Sequence, residues 1–295
     1  MPIVMFLNLK GGVAKTTNAV AVAECFASTG KRVLLVDADH QSMASELLLG
    51  EERLAQAEAR KKTLHDLFAY MLSDDFNPDA MREYVTPLAS NITSIKKNID
   101  CIPCSHRIDE FTTNMAKARK GYQSNEEFLR RLNRLRYSFA RWCNGHYQYT
   151  IVDCPPTFVI QVVFLLASAD YFILPTIPDR LSIRGSLYLL ERLRMRGYKR
   201  IQCLGTLWSL VRVQVAKHRN IMKWVEEKRD GYASLPQPFA TVIPNMSSIA
   251  NAMDYLKNYS SYQAKYQDKS ADLFENVCKE IEERIRIAKK ENENR

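Results

Sequence analysis

The chain has no stretch long and apolar enough to cross a bilayer. Its longest greasy segment, Phe158 to Ala167, is broken by Gln161 and falls short of the ~20 apolar residues a membrane helix needs. No basic residue precedes the first apolar run, Pro2 to Leu7, so a secretory leader is not expected and the chain reads as soluble. Cysteine is sparse. The seven residues are odd in number and lack dense spacing, which excludes a disulfide framework and points to a reduced, cytosolic chain. Cys101-x-x-Cys104 has no second pair at zinc-site distance and lies in a strand-like run, so it reads as structural. Internal repeats and low-complexity linkers are also missing.

What remains is ordinary globular material, 46% hydrophobic and 25% charged over 295 residues, enough for a full core. Its charge is unevenly placed. Residues 179–229 hold thirteen Lys/Arg against four Asp/Glu, a net +9 that equals the excess of the whole chain. Segregated positive charge points to a polyanionic partner. The candidate contacts are Arg192 and Arg196, with Lys199 and Arg200, on one helix. Arg212, Arg219 and Lys223 sit on or just before the next, read as residues 213–229.

Strand and helix signals alternate throughout. That pattern specifies an α/β fold with a doubly wound, mostly parallel sheet and helices on both faces. Strand-like runs occur at Pro2–Leu7, Val33–Asp37, Ile99–Pro103, Tyr149–Asp153, Tyr171–Pro175, Gln202–Leu207 and Ala240–Ile243. Helices are expected over 51–72, over 124–142 after a Ser124…Glu127 capping box, and over 181–196. Residues 1–295 read as one domain, with 51–125 a more variable elaboration and 269–290 a closing helix.

Between the first strand and a small-residue helix stands Lys10-Gly11-Gly12-Val13-Ala14-Lys15-Thr16-Thr17. Strand, loop and helix in this order bring backbone N–H groups and a helix N-terminus onto phosphate. Lys15 supplies a point charge for the β- and γ-phosphates, and Thr16 a hydroxyl for Mg²⁺. Two further strands end in carboxylates, Asp37-Ala38-Asp39 and Asp153, at the carboxyl strand ends where ligands of open α/β folds collect. Phosphoryl transfer needs such groups near the metal and the attacking water. The generic loop has glycines where Leu9 and Ala14 stand; here a Lys-Gly-Gly run opens the loop instead.

In these features the chain resembles the deviant Walker A P-loop ATPases, the ParA/Soj/MinD family. The likeness extends to Val33–Gln41, Ile99–Ser105, Asp153-Cys154-Pro155-Pro156, Thr241-Val242-Ile243-Pro244-Asn245 and the helix from Lys269. Departures are His40 in place of a usual proline, and Met246-Ser247-Ser248 where an arginine is usual. The resemblance implies an Mg²⁺-dependent ATP hydrolase. In it Lys10 reaches a nucleotide across a dimer interface, Asp39 positions the hydrolytic water, Asp37 and Asp153 serve the metal, and Pro244-Asn245 lie beside the adenine. His40 reads as an exposed loop residue. Partners implied are an ATP-dependent homodimer, nonspecific double-stranded DNA and a ParB-like adaptor, in a cytoplasmic, nucleoid-associated protein that partitions or positions DNA or another large cargo. No helix-turn-helix segment precedes the loop, so operator binding is not expected. Two alternatives share the fold. One is a MinD-like membrane-associated ATPase, disfavoured by the mixed charge of the last helix. The other is a bacterial tyrosine kinase, prompted by Tyr255, Tyr259, Tyr262 and Tyr266 and disfavoured because their spacing is that of a helix stripe, which is more often packing.

Overall fold

A computed structural model describes residues 1–198 and 200–293. Lys199, one of the basic residues singled out above, lies outside the described residues. Six strands form one sheet: β1 Ile3–Phe6, β2 Val33–Asp37, β3 Ile99–Ile102, β4 Tyr149–Asp153, β5 Tyr171–Thr176 and β6 Gln202–Trp208. Their order is β3-β2-β4-β1-β5-β6, and every pair is parallel. Among the described residues the helices are α1 Lys15–Ser28, α2 Met43–Ala59, α3 Leu64–Leu72, α4 Phe111–Arg119, α5 Asn125–His146, α6 Ile160–Leu166, α7 Arg180–Met195, α8 Ala216–Glu226, α9 Ser247–Ala252 and α10 Tyr262–Glu293.

The strands are aliphatic on both faces because helices cover both. Alternation along each strand divides the core in two. Ile3, Met5, Leu34, Val36 and Val152 pack with α3 to α8, whereas Val4, Phe6, Val33, Leu35 and Ile151 pack with α1, α2, α9 and α10. From β1 the chain builds β2 and β3 on one side, returns through β4, and adds β5 and β6 on the other. The crevice over the carboxyl end of β1 is therefore the switch point where such folds bind ligands. Helix α1 runs from that crevice, buried from Asn18 to Ala27, and its small residues let it lie between the sheet and α10.

Several boundaries differ from the sequence expectation. Residues 51–72 hold two helices, because the chain turns at Lys61 (φ 54°) and restarts at a Thr63/Asp66 capping box. The helix expected at 213–229 is the shorter α8. Ala240–Ile243 is not a strand. The amides of Ala240 and Thr241 donate to the Glu280 carboxylate, each at 2.7 Å, and Pro238 and Pro244 have no N–H to give a ladder. The run follows β6 through the Phe239 and Ile243 amides, which donate to the Thr206 and Trp208 carbonyls. The closing helix begins earlier than expected, at Tyr262, and is interrupted at Gln267 (φ 58°, ψ 158°). The tyrosine stripe is helical only in its second half: Tyr255 and Tyr259 precede α10, while Tyr262 and Tyr266 lie one turn apart on it, both buried, with ring centroids 4.7 Å apart. No helix among the described residues is long and apolar enough to cross a membrane.

Candidate functional site

Beyond β1 the chain turns on Asn8, a fully buried residue that sequence reading passed over. Its Oδ1 accepts from the Lys10 amide at 3.0 Å. Its Nδ2 donates to the Pro175 carbonyl at 2.7 Å and to Ser186 Oγ at 3.0 Å. The root of the loop is thus tied to the end of β5 and to α7. Gly12 (φ 70°) and Ala14 (φ 62°) both lie in the left-handed region. Ala14 stands where the generic loop has glycine, and its Cβ makes this conformation costly by ~1–2 kcal/mol. Helix α1 then starts at Lys15 with no side-chain cap, leaving its first amides for a ligand.

The two lysines face different surroundings. Lys15 is buried, and its Nζ donates to the Lys10 carbonyl at 3.2 Å. Burial lowers its pKa, while Asp153, Cys154 and Asp39 pull it back up. Lys10 is exposed, and its ammonium has no partner among the described residues.

Parallel pairing of β2 and β4 sets Asp37 opposite Asp153. Asp153 is fully buried: Oδ2 accepts from Thr16 Oγ1 at 2.7 Å, and Oδ1 has no partner. Burial first, and then Asp37, push its pKa well above the ordinary carboxylate value, against the pull of Thr16 and Lys15. Asp37 is enclosed differently. Its Oδ2 accepts from the Ser45 amide (2.8 Å) and hydroxyl (2.7 Å), and its Oδ1 from the Asp39 amide (3.0 Å). Burial raises its pKa to about 6 in spite of these bonds. Asp37 therefore holds the start of α2, and Ser45, which also accepts from the Cys104 amide at 2.9 Å, is a second residue that sequence reading missed. Neither Asn8 nor Ser45 carries a distinctive local signal, since the bonds that tie the fold together here, to Pro175, Ser186 and Cys104, reach partners distant in sequence. Asp39 accepts from the Gln41 amide at 3.1 Å, and His40 beside it is exposed.

An orphaned, buried carboxylate oxygen next to a threonine hydroxyl is what a divalent cation would complete. Among the described residues no three His, Cys, Asp or Glu side chains cluster to hold a metal by themselves. Two protein oxygens suit Mg²⁺, which keeps its remaining positions for water and phosphate. The residues thus fit the ion that the sequence implied. At the far side of the crevice, past β5 and β6, Pro244 bridges Val211, and Asn245 is exposed with its amide on the Val211 carbonyl at 2.9 Å. Asn18, on α1, donates to Ser209 Oγ at 2.8 Å while its Oδ1 has no partner.

The basic residues fall into two groups. Arg192, in the last turn of α7, and Arg196, just after that helix, each hold a guanidinium 5.1 Å from the Phe158 ring. Arg212, Arg219 and Lys223 are exposed near α8, which adjoins the start of α7 through a cleft lined by Arg180, Lys217 and Trp224. From Arg180 to Arg192 is roughly 18 Å along a helix rising 1.5 Å per residue. The expected basic stretch is therefore two patches. Arg219 spends part of its guanidinium on the Val213 carbonyl, and Lys223 pairs with Glu227 at 3.6 Å. Cys101 and Cys104 are both buried as free thiols, with pKa values pushed well up by burial.

A family model described as "AAA domain" matches residues 1–200. The chromosome partitioning protein ParA of Caulobacter vibrioides (strain NA1000 / CB15N) is 28% identical over 193 residues, 64% of this chain and 61% of that protein. The chain thus spans somewhat under two thirds of that relative. The chromosome-partitioning ATPase Soj of Treponema pallidum is 26% identical over 281 residues, covering 94% of this chain and 95% of its own. Among solved structures, Cyanothece McdA in its apo state superposes with a TM-score of 0.72 at 19% identity, over 95% of this chain and 99% of that one.

Proposed function

The chain belongs to the AAA domain family whose model matches residues 1–200, as a P-loop ATPase of the ParA/MinD type, and from that premise we propose that it is an ATP-switched dimer that partitions or positions DNA or another large cargo. One observation carries the switch: Lys10 is exposed and unpartnered on the rim of a loop whose second lysine, Lys15, is buried. A cation free to leave its own loop can neutralise phosphate charge in a facing copy, as an arginine finger does in trans. ATP then forms part of the interface, and its hydrolysis releases the partner.

Gly11 to Thr17 and the uncapped start of α1 cradle the phosphates, and Lys15 meets the β/γ charge. Pro244 and Asn245 bound the adenine end. Thr16 and Asp153 would hold Mg²⁺, which when bound neutralises charge on the phosphate oxygens. Asp39 orients the attacking water, and Asp37 acts one step back by fixing the Asp39 amide and α2. Arg192, Arg196, Arg212, Arg219 and Lys223 meet DNA phosphates without reading bases, so affinity falls steeply with salt. A ParB-like adaptor and a nucleoid-associated, cytoplasmic location complete this reading.

Cosedimentation with plasmid DNA and with anionic liposomes, each under ATP and ADP, tests it. Pelleting with DNA only under ATP is expected. Pelleting with liposomes instead would replace this reading with the MinD-like one.

A further inference from the structure

At the opposite end of the sheet from the loop, where β5 and β6 begin, lies a cavity of about 540 Å³ between α5, the turn after α6 and the turn after α7. One wall is Arg136. Its Nη1 donates to Asn133 Oδ1 at 3.1 Å and its guanidinium lies 5.5 Å from the Phe164 ring, yet its Nε is shielded from solvent and has no partner. Burial lowers its pKa, and the Tyr198 phenol is the one group opposing that fall. A charged group fully withdrawn from water is ordinarily paired with an anion. The Arg136 Nε is so withdrawn, and its guanidinium has no such pair among the described residues.

Other features of the cavity agree. Gly197 (φ 72°) ends α7 in a tight turn that brings Tyr198 and Arg200 onto the cavity wall. Of the five arginines on α5, Arg136 is the one on the lining. The acid on the lining is Asp170, whose Oδ2 already accepts from the Ile3 amide at 2.8 Å. Leu166, Ala169 and Ile201 add an apolar surface, and the volume is that of a small-molecule site.

We propose that this cavity binds a phosphate ester, with the phosphate between Arg136 and Arg200 and a compact apolar body against Leu166 and Ile201. The phosphate belongs either to a free small molecule or to a nucleic-acid backbone, and the site is separate from the nucleotide loop.

The test is calorimetric titration of the full chain with phenyl phosphate, with saturating Mg²⁺–ADP present so that the loop is filled, and with phenol as the uncharged control. One equivalent of phenyl phosphate should bind and phenol should not. Each loss of a charge-assisted hydrogen bond should weaken binding at least tenfold, in Arg136→Met and in Arg200→Ala. Arg200 is exposed, so its variant is informative even if Arg136→Met unfolds. Absence of binding, displacement of the probe by ADP, or equal affinity in wild type and Arg200→Ala would overturn the proposal. Competition by a short DNA duplex identifies the backbone as the source of the phosphate; lack of competition identifies a free ester.

Discussion

Replacing Asp153 by asparagine should make the nucleotide-free protein more stable while removing its response to Mg²⁺. The carboxylate is fully buried, faces Asp37 across the β2–β4 ladder, and leaves Oδ1 unpaired. Asparagine keeps the shape and the bond from Thr16 but carries no charge. The variant still leaves an unpaired amide where Oδ1 stood. An unpaired buried group costs about 1–3 kcal/mol more when charged than when neutral, so shedding the charge beside Asp37 should gain about 1–3 kcal/mol at pH 7. In a chain of this size each kcal/mol moves the midpoint by about 2–4 °C. The pH dependence has a definite sign. Both Asp153 and Asp37 have folded-state pKa values above their unfolded ones, so the unfolded chain ionises first and stability falls as pH rises. For Asp37, shifted from 3.8 to about 6, the decline over that window is about 3 kcal/mol. Asp153→Asn should flatten the part of the slope due to its own group. Thermal unfolding in EDTA, in ADP with EDTA, and in ADP with Mg²⁺ measures all of this. A variant less stable than wild type in EDTA, or one keeping the full Mg²⁺ increment, refutes the reasoning.

Lys10→Ala should leave nucleotide binding by the monomer nearly unchanged and abolish ATP-dependent dimers in sedimentation; dimers of normal strength would contradict the role given to that lysine. Ala14→Gly exchanges ~1–2 kcal/mol of left-handed strain for the entropy of glycine. It should stabilise by about 0.5–1 kcal/mol in urea titrations, and a loss of stability would show that the loop is not strained there. Glu24 and Lys265 form a buried pair at 2.8 Å, completed by Ser90, Tyr266 and Asn91, that joins α1 to α10. Lys265→Met strands a buried carboxylate and should cost about 3–5 kcal/mol, of which Glu24→Gln in the same chain restores a part. A cost below about 1 kcal/mol would mean that the site reorganises around the missing cation.

The loop of residues 10–17 and the aspartates closing β2 and β4 were legible because each signal is local: an apolar run, then glycines or an acid where the strand ends. Ala240–Ile243 misled for the same reason. Its composition is that of a strand, but a side chain 40 residues away, Glu280, takes the amides a ladder would need. The tyrosines at 255–266 share a helical spacing that only Tyr262 and Tyr266 use, since α10 starts at Tyr262. Asn8 and Ser45 left no trace, because a single polar residue after a strand or early in a helix has many uses. Their partners, Pro175, Ser186 and Cys104, become neighbours only once the sheet is assembled.

The order of strands and helices, the phosphate loop and the acids at strand ends follow from the sequence by itself, since period, turn residues and apolar runs act over a few positions. Tertiary structure alone decided which acid is satisfied and which is not. Asp37 and Asp153 read identically as strand-terminal aspartates, yet one is saturated by the start of α2 and the other keeps a bare oxygen beside Thr16. Burial and pairing are properties of where the chain returns to itself, and a linear pattern holds no record of that.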